Sequence, residues 1–202
     1  MICVVDYGVG NLRSITRGLE KAGATVKLTT RIEDVRSAEA VVLPGVGAFK
    51  DAMEKMQPLK EALLQEVKNG KLMLGICLGL QVLFEESAEG GNYEGLALIK
   101  GHVARLPSHV KVPHIGWNTI KIRRENPLLE GINNGAYMYF VHSYYAIPTN
   151  EEVIVATTNY GVEFPSVICN GNIFATQFHP EKSGEAGLKV LRNFVAIVKE
   201  AV

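Results

Sequence analysis

The chain has no excess of either charge: 21 Lys+Arg stand against 21 Asp+Glu, a net charge of zero. Nucleic-acid binders normally carry a strong basic excess, so that partner class is not expected. An acidic, disordered tail is also missing. No apolar run approaches the roughly 20 residues that a membrane helix needs. The opening Met1-Ile-Cys-Val-Val-Asp6 meets an acidic residue too early for a secretory signal. A cytoplasmic protein with no membrane partner is therefore expected. Cysteine is scarce, with only Cys3, Cys77 and Cys169, odd in number and far apart. With no CxxC pair or Cys/His cluster, neither a metal site nor a disulfide framework is expected. Cys3 and Cys169 lie in apolar, strand-like segments and read as core; Cys77 does not. What is abundant is apolar surface, 47% of 202 residues. A chain of that length buries about 70% of the surface its unfolded form exposes. With no repeat, linker or low-complexity tract, one domain over residues 1–202 is expected.

The first half alternates short apolar runs with amphipathic stretches. Ile2–Val5, Val41–Leu43 and Leu72–Ile76 read as buried apolar strands, and Ala24–Leu28 as a further strand. Between them, Asn11 can cap a helix carrying Leu12, Ile15 and Leu19, which Gly23 is placed to end. Pro58 suits the first turn of a helix with Leu59, Leu63, Leu64 and Val67 on one face. Another helix is predicted from Leu78 to Glu85. Past a polar loop at Ser87–Gly95, strand-like runs dominate: Ile99–Leu106, Ile115–Arg123, Tyr137–Ala146, Val153–Thr158 and Ser166–Phe178, the last split by an Asn170-Gly171 hairpin signal. A final helix spans Glu185–Ala201. The expected fold is α/β: a doubly wound mixed sheet with helices on both faces.

Gly75-Ile76-Cys77-Leu78-Gly79 follows a buried strand and precedes a helix. A turn tight enough to expose a nucleophile leaves no room for side chains two positions to either side, hence the glycines. It also places the sulfur among free amides, which favour thiolate, and the Leu78 amide can face an oxyanion. A structural cysteine with two packing glycines is the bland alternative. Of five histidines, His179 stands out, since it follows the run Ile173–Phe178 and precedes Pro180-Glu181. In extended chain, residues two apart share a face, so Glu181 can orient the His179 ring. Pro44-Gly45-Val46-Gly47 follows another buried strand and offers free amides to an anion. Gly8-Val9-Gly10-Asn11-Leu12-Arg13 is an incomplete dinucleotide fingerprint, with Arg13 where the third glycine belongs, so no cofactor is expected.

These segments together resemble a known family. Gly75-Ile-Cys-Leu-Gly-Leu-Gln81, Gln177-Phe-His-Pro-Glu-Lys-Ser183 and Pro44-Gly-Val-Gly47 are similar to the motifs of class I, triad glutamine amidotransferases. Asp6-Tyr-Gly-Val-Gly-Asn11, His114-Ile-Gly-Trp-Asn118 and Tyr139-Phe-Val-His-Ser-Tyr144 resemble one subfamily, the glutaminase subunits of imidazole glycerol phosphate synthase in histidine biosynthesis. The resemblance implies that Cys77 attacks glutamine, His179 shuttles the proton and Glu181 orients His179. It implies an oxyanion site from Leu78 and one amide of Gly45, Val46 or Gly47. Gly47, Gln81, Glu89, His142, Ser143 and Tyr144 match substrate-binding positions. It further implies a (β/α)8 cyclase subunit as heterodimer partner, with Asn11, Arg13, Trp117, Tyr139 and Lys182 facing it and ammonia passing between the two. The Pro44–Gly47 turn is expected to turn its oxyanion amide inward only when the partner is liganded. A glutaminase serving another acceptor, a cysteine peptidase or esterase on a related sheet, and a non-enzymatic cysteine protein are the alternatives.

Overall fold

The computed structural model describes residues 1–8 and 11–201; Val9 and Gly10, inside the Gly8–Arg13 segment, lie outside the described residues, as does Val202. The first half runs β1 (Ile2–Val5), α1 (Leu12–Lys21), β2 (Val26–Thr29), α2 (Ile32–Ser37), β3 (Ala40–Leu43), α3 (Phe49–Lys68), β4 (Leu72–Ile76) and α4 (Leu78–Gln81). The second half runs β5 (Phe84–Ser87), β6 (Tyr93–Glu94), β7 (Ile99–Arg105), β8 (His114–Thr119), β9 (Lys121–Ile122), β10 (Tyr137–His142), β11 (Tyr144–Pro148), β12 (Ile154–Asn159), β13 (Glu163–Asn170), β14 (Ile173–Thr176) and α5 (Gly184–Glu200).

The central sheet has the order β2-β1-β3-β4-β14-β13-β12-β9. Its first five strands are parallel and the last three antiparallel. Alternate residues of each strand feed two separate cores. Cys3, Val5, Val41, Leu43 and Met73 pack with Phe49, Met56 and Leu63 of α3 on one face. Ile2, Val4, Val42, Leu74 and Ile76 pack with Ile15 and Leu19 of α1 and Leu191 and Phe194 of α5 on the other. Full burial of each such side chain stabilises by roughly 1.5–3 kcal/mol. A four-stranded sheet, β11-β7-β5-β6, extends the first core through Phe84, Val103 and Ala146. A two-stranded ribbon, β8–β10, closes the second core with Met138 and Phe140. No described helix is long and apolar enough to cross a membrane.

Several local expectations are corrected. Pro58 does not start a helix; it sits inside α3, which begins at Phe49. It is exposed there, as is Glu54, whose carbonyl loses its N–H partner, so water can take the freed acceptor. The helix after Cys77 stops at Gln81. Val82, Leu83 and Phe84 are fully buried, and β5 begins at Phe84, pairing with β7. Strand pairing also claims both ends of the predicted loop at Ser87–Gly95, through β5 and β6. The run Ile115–Arg123 is two strands in different sheets, and Tyr137–Ala146 breaks at Ser143 where β10 gives way to β11. The second strand is shifted to Val26–Thr29. Cys169 is only half-buried, whereas Cys3 is core. The Asn170-Gly171 hairpin forms, with Asn170 opposite Ile173 and Gly171 at φ 60°.

Candidate active site

Strand register assembles the site. Parallel β4 and β14 pair Ile76 with Thr176, and the Cys77 amide donates to the Thr176 carbonyl at 2.7 Å. Cys77, Gln177 and His179 therefore leave the sheet at the same edge. Leu43 of β3 pairs with Gly75, which brings Pro44–Gly47 to that edge too. Cys77 has φ 54° and ψ −106°, a region that strains any residue with a Cβ, by about 1–3 kcal/mol. The flanking glycines permit the elbow: a Cβ on Gly79 would lie 1.8 Å from the Leu43 carbonyl oxygen, and one on Gly75 2.6 Å from the Gly79 oxygen. Gly45 is equally constrained, since its Cβ would meet the Leu78 Cβ at 2.6 Å.

His179 and Glu181 meet at 2.8 Å through Nδ1 and Oε1, both side chains nearly fully buried. The contact was expected from extended chain, but the backbone makes it differently: Pro180–Lys182 forms a single 3₁₀ turn that folds Glu181 back under the ring. The Nε2 of His179 is buried with no hydrogen-bond partner, and the Cys77 sulfur is the group near enough to govern its charge. Burial pushes the imidazole down, but the sulfur and Glu181 outweigh it and hold it up at about 10. The arrangement holds a protonated imidazole beside the Cys77 sulfur. Opposite, the thiol can donate to the Val141 carbonyl at 3.6 Å.

Cys77 opens into a cavity of about 190 Å³ lined by Val46, Gly47, Leu78, Gln81, Glu89, Val141, His142, Ser143 and Tyr144, among others. Every residue expected to bind substrate is on this wall. The amides of Leu78, Gly45, Val46 and Gly47 donate to no backbone carbonyl among the described residues, so they remain free for an anion. Glu89 is anchored by accepting from the Phe49 amide at 2.9 Å, at the start of α3. His142 has both ring nitrogens engaged inside the protein. Nδ1 donates to the Tyr144 carbonyl and Nε2 accepts from Nδ1 of His114, each at 2.9 Å. Burial pushes His114 down to about 4; burial, with His114 and His179 adding to it, pushes His142 down to about 3. His142 thus lines the cavity as a fixed, neutral ring.

Two polar residues at the site were not singled out from sequence. Tyr7 donates its buried hydroxyl to the Pro44 carbonyl, pinning the strand end from which Gly45–Gly47 springs. Burial, aided by Cys77, holds that phenol far above its ordinary range, so it stays a donor. Gln177 lies against the Cys77 sulfur. It shares with His179 the two-residue spacing that marks one face, which was the available signal.

Of the predicted partner-facing residues, Trp117, Tyr139 and Lys182 form one patch. Trp117 is 55% exposed, its ring 5.9 Å from that of Tyr139, and the Lys182 ammonium sits 5.9 Å over Tyr139. That exposure excludes a core position for Trp117. Asn11 caps α1, and Arg13 lies in its exposed first turn rather than in a loop. Among the described residues no three His, Cys, Asp or Glu side chains gather as a metal site.

Fold and site together define a class of protein: an α/β protein with a cysteine at a strand-to-helix elbow beside a buried His–Glu pair. A family model for class-I glutamine amidotransferases matches residues 3–198. A relative from Methanothermobacter thermautotrophicus, the imidazole glycerol phosphate synthase subunit HisH, is 55% identical over 98% of this chain and 100% of its own. The protein of that name from Natronomonas pharaonis is 51% identical over 96% of this chain and 93% of its own. The chain belongs to the class-I glutamine amidotransferases, in the group of imidazole glycerol phosphate synthase HisH subunits. Among solved structures, PurLQS from Thermotoga maritima superposes with a TM-score of 0.77 at 20% identity over 97% of both chains, a likeness of fold alone.

Proposed function

We propose that this chain is the glutaminase subunit of a two-component synthase in histidine biosynthesis, working in the cytoplasm as one domain over residues 1–202. The Cys77 thiolate attacks the side-chain carbonyl of glutamine. The carbonyl π pair moves to oxygen, where the amides of Leu78 and of the Gly45–Gly47 turn stabilise it. Collapse of the tetrahedral intermediate expels the amide nitrogen, which takes its proton from His179 and leaves as ammonia. The remaining glutamyl thioester is hydrolysed when His179 removes a proton from water, releasing glutamate and restoring the thiol. Glu181 holds the imidazole in the tautomer this requires. Gln81, Glu89 and the segment His142–Tyr144 hold the amino acid.

The observation that carries this proposal is the union of the Cys77 elbow with a buried His179–Glu181 pair over a cavity of about 190 Å³. The wall of that cavity carries Gly47, Gln81, Glu89 and His142–Tyr144 together, as a site for a single amino acid would require. Ammonia released into neutral water is mostly protonated and then no nucleophile, so a sealed passage to an acceptor subunit is needed. The partner is a (β/α)8 cyclase that joins the ammonia to a phosphoribosyl formimino carboxamide ribonucleotide. It yields imidazole glycerol phosphate and an aminoimidazole carboxamide ribonucleotide. The patch of exposed Trp117 with half-buried Tyr139 and Lys182, together with Asn11 and Arg13, faces that partner. Glycines on both sides of Val46 make rotation of the oxyanion amide inexpensive, so ligand on the partner can switch hydrolysis on.

The test is glutamate release from glutamine by the chain alone, with the cyclase, and with the cyclase plus its nucleotide ligand. Strong stimulation in the third tube is expected. Equal rates in all three would remove the assigned partner, and no glutamate in any would remove the glutaminase.

A further inference from the structure

Both hydrogens of the Gln81 side-chain amide are spoken for. Nε2 donates to the Tyr144 carbonyl at 2.9 Å and to Oε1 of Gln177 at 3.3 Å. This fixes which way round the amide sits. Its oxygen is left without a partner among the described residues, on a residue that lines the cavity. Gln81 therefore meets a ligand as an acceptor, suited to an N–H donor and unsuited to a carboxylate. Gln177 is in turn engaged at both ends of its amide. Its Oε1 accepts from Gln81, and its own Nε2 points at the Cys77 sulfur, 3.6 Å away. Gln177 is itself fully buried, with its backbone amide tied to the Ser166 carbonyl at 3.0 Å.

We propose that Gln177 is a positioning residue that couples substrate recognition to the nucleophile. Its N–H steadies the sulfur as an anion, and its carbonyl turns Gln81 so that the Gln81 oxygen faces the substrate. One side chain thereby sets both the ionisation of Cys77 and the preference for a carboxamide over a carboxylate. The proposal rests on the glutaminase reading for its substrate half, while its sulfur half stands on geometry alone.

Two variants separate the halves. Gln177→Leu removes both bonds. Gln177→Glu keeps an acceptor for Gln81 but sets an anion against the sulfur. The first measurement is the pH profile of Cys77 alkylation by iodoacetamide in the full-length chain, followed by mass spectrometry of the Cys77 peptide so that Cys3 and Cys169 do not interfere. The second is KM and kcat for glutamine in the complex with the liganded cyclase. For Gln177→Leu the alkylation midpoint should rise by about 1–2 pH units and KM by roughly tenfold, as for loss of hydrogen bonds to a charged and to a neutral group. For Gln177→Glu the midpoint should rise at least as far, while KM stays near that of the parent. Wild-type midpoints in both variants would overturn the link to the sulfur, and a wild-type KM in Gln177→Leu would overturn the link to Gln81. Should the leucine variant fail to fold, the midpoint of the glutamate variant still decides the first. Absence of glutamate release from the parent would strike the functional reading instead, and the alkylation profile would remain decisive for Gln177.

Discussion

The elbow makes a sharp demand on Gly79. Its missing Cβ would lie 1.8 Å from the carbonyl oxygen of Leu43 and 2.8 Å from the carbonyl carbon. The first distance is roughly 1.7 Å inside normal van der Waals contact. The obstacle is backbone, so no rotamer change can relieve it, and it belongs to the last residue of β3, directly before the Pro44–Gly47 turn. In Gly79→Ala either α4 or the end of β3 must retreat by about 1 Å, and each carries part of the site. A misplacement of that size costs on the order of 100-fold in rate. Overpacking adds a stability loss of roughly 1–3 kcal/mol, at about 2–4 °C of Tm per kcal/mol in a chain of this size. Gly18→Ala is the control. There the new Cβ meets only the Leu191 Cδ1 below 3 Å, at 2.7 Å, and that is the tip of a side chain rather than backbone. Gly18 lies within α1, where alanine is preferred to glycine by about 1 kcal/mol. Gly18→Ala should thus stay within about 1 kcal/mol of the parent and keep its rate. Thermal melts and glutamate release with the liganded cyclase read both. A Gly79→Ala protein with parental turnover and Tm, or a Gly18→Ala protein equally damaged, would refute the reasoning.

Two further predictions concern protons. In Glu181→Gln the 2.8 Å contact to Nδ1 survives without its charge, so the imidazolium loses one of its two supports. With a folded value of about 10, above the ordinary histidine value, the parent keeps that stabilisation in full below about 6.5 and loses it as pH rises through about 10. The alkaline limb of the pH–rate profile should therefore move toward acid by about a unit or more in the variant, and an unmoved limb would show that Glu181 does not set the charge. His114 and His142 behave oppositely. Held neutral down to about 4 and about 3, they take up protons only on unfolding once pH drops below about 6.5. Each then erodes stability by up to about 1.4 kcal/mol per pH unit between about 6 and 4. Urea unfolding of His114→Asn across that range should show a flatter loss than the parent, and parallel curves would refute it.

How far the sequence disclosed all this depends on whether the deciding force was local. The doubly wound half was legible because strands buried on both faces are continuous apolar runs, as in Ile2–Val5 and Leu72–Ile76, and amphipathic helices lie between them. Gly75 was legible from sterics within the elbow itself, where its Cβ would meet the Gly79 backbone; Gly79 was marked by the same motif, although its own obstacle is the Leu43 carbonyl on β3. Illegible were features decided by distant partners. Val82–Phe84 continues a helix by local pattern but is recruited by β7. Pro58 looks like a helix start, yet faces water in mid-helix, where its missing N–H does little harm. The approach of Glu181 to His179 was foreseen on an extended geometry, whereas a 3₁₀ turn delivers it, because a proline between the two favours both. Gln177 is the instructive case. Its importance rests on the register that sets Thr176 beside Ile76, and no run of residues announces a register between strands a hundred positions apart. Once that pairing is fixed, β4 and β14 must release Cys77, Gln177 and His179 at one edge. The nucleophile, its neighbouring amide and its base are thus consequences of a single alignment of two strands.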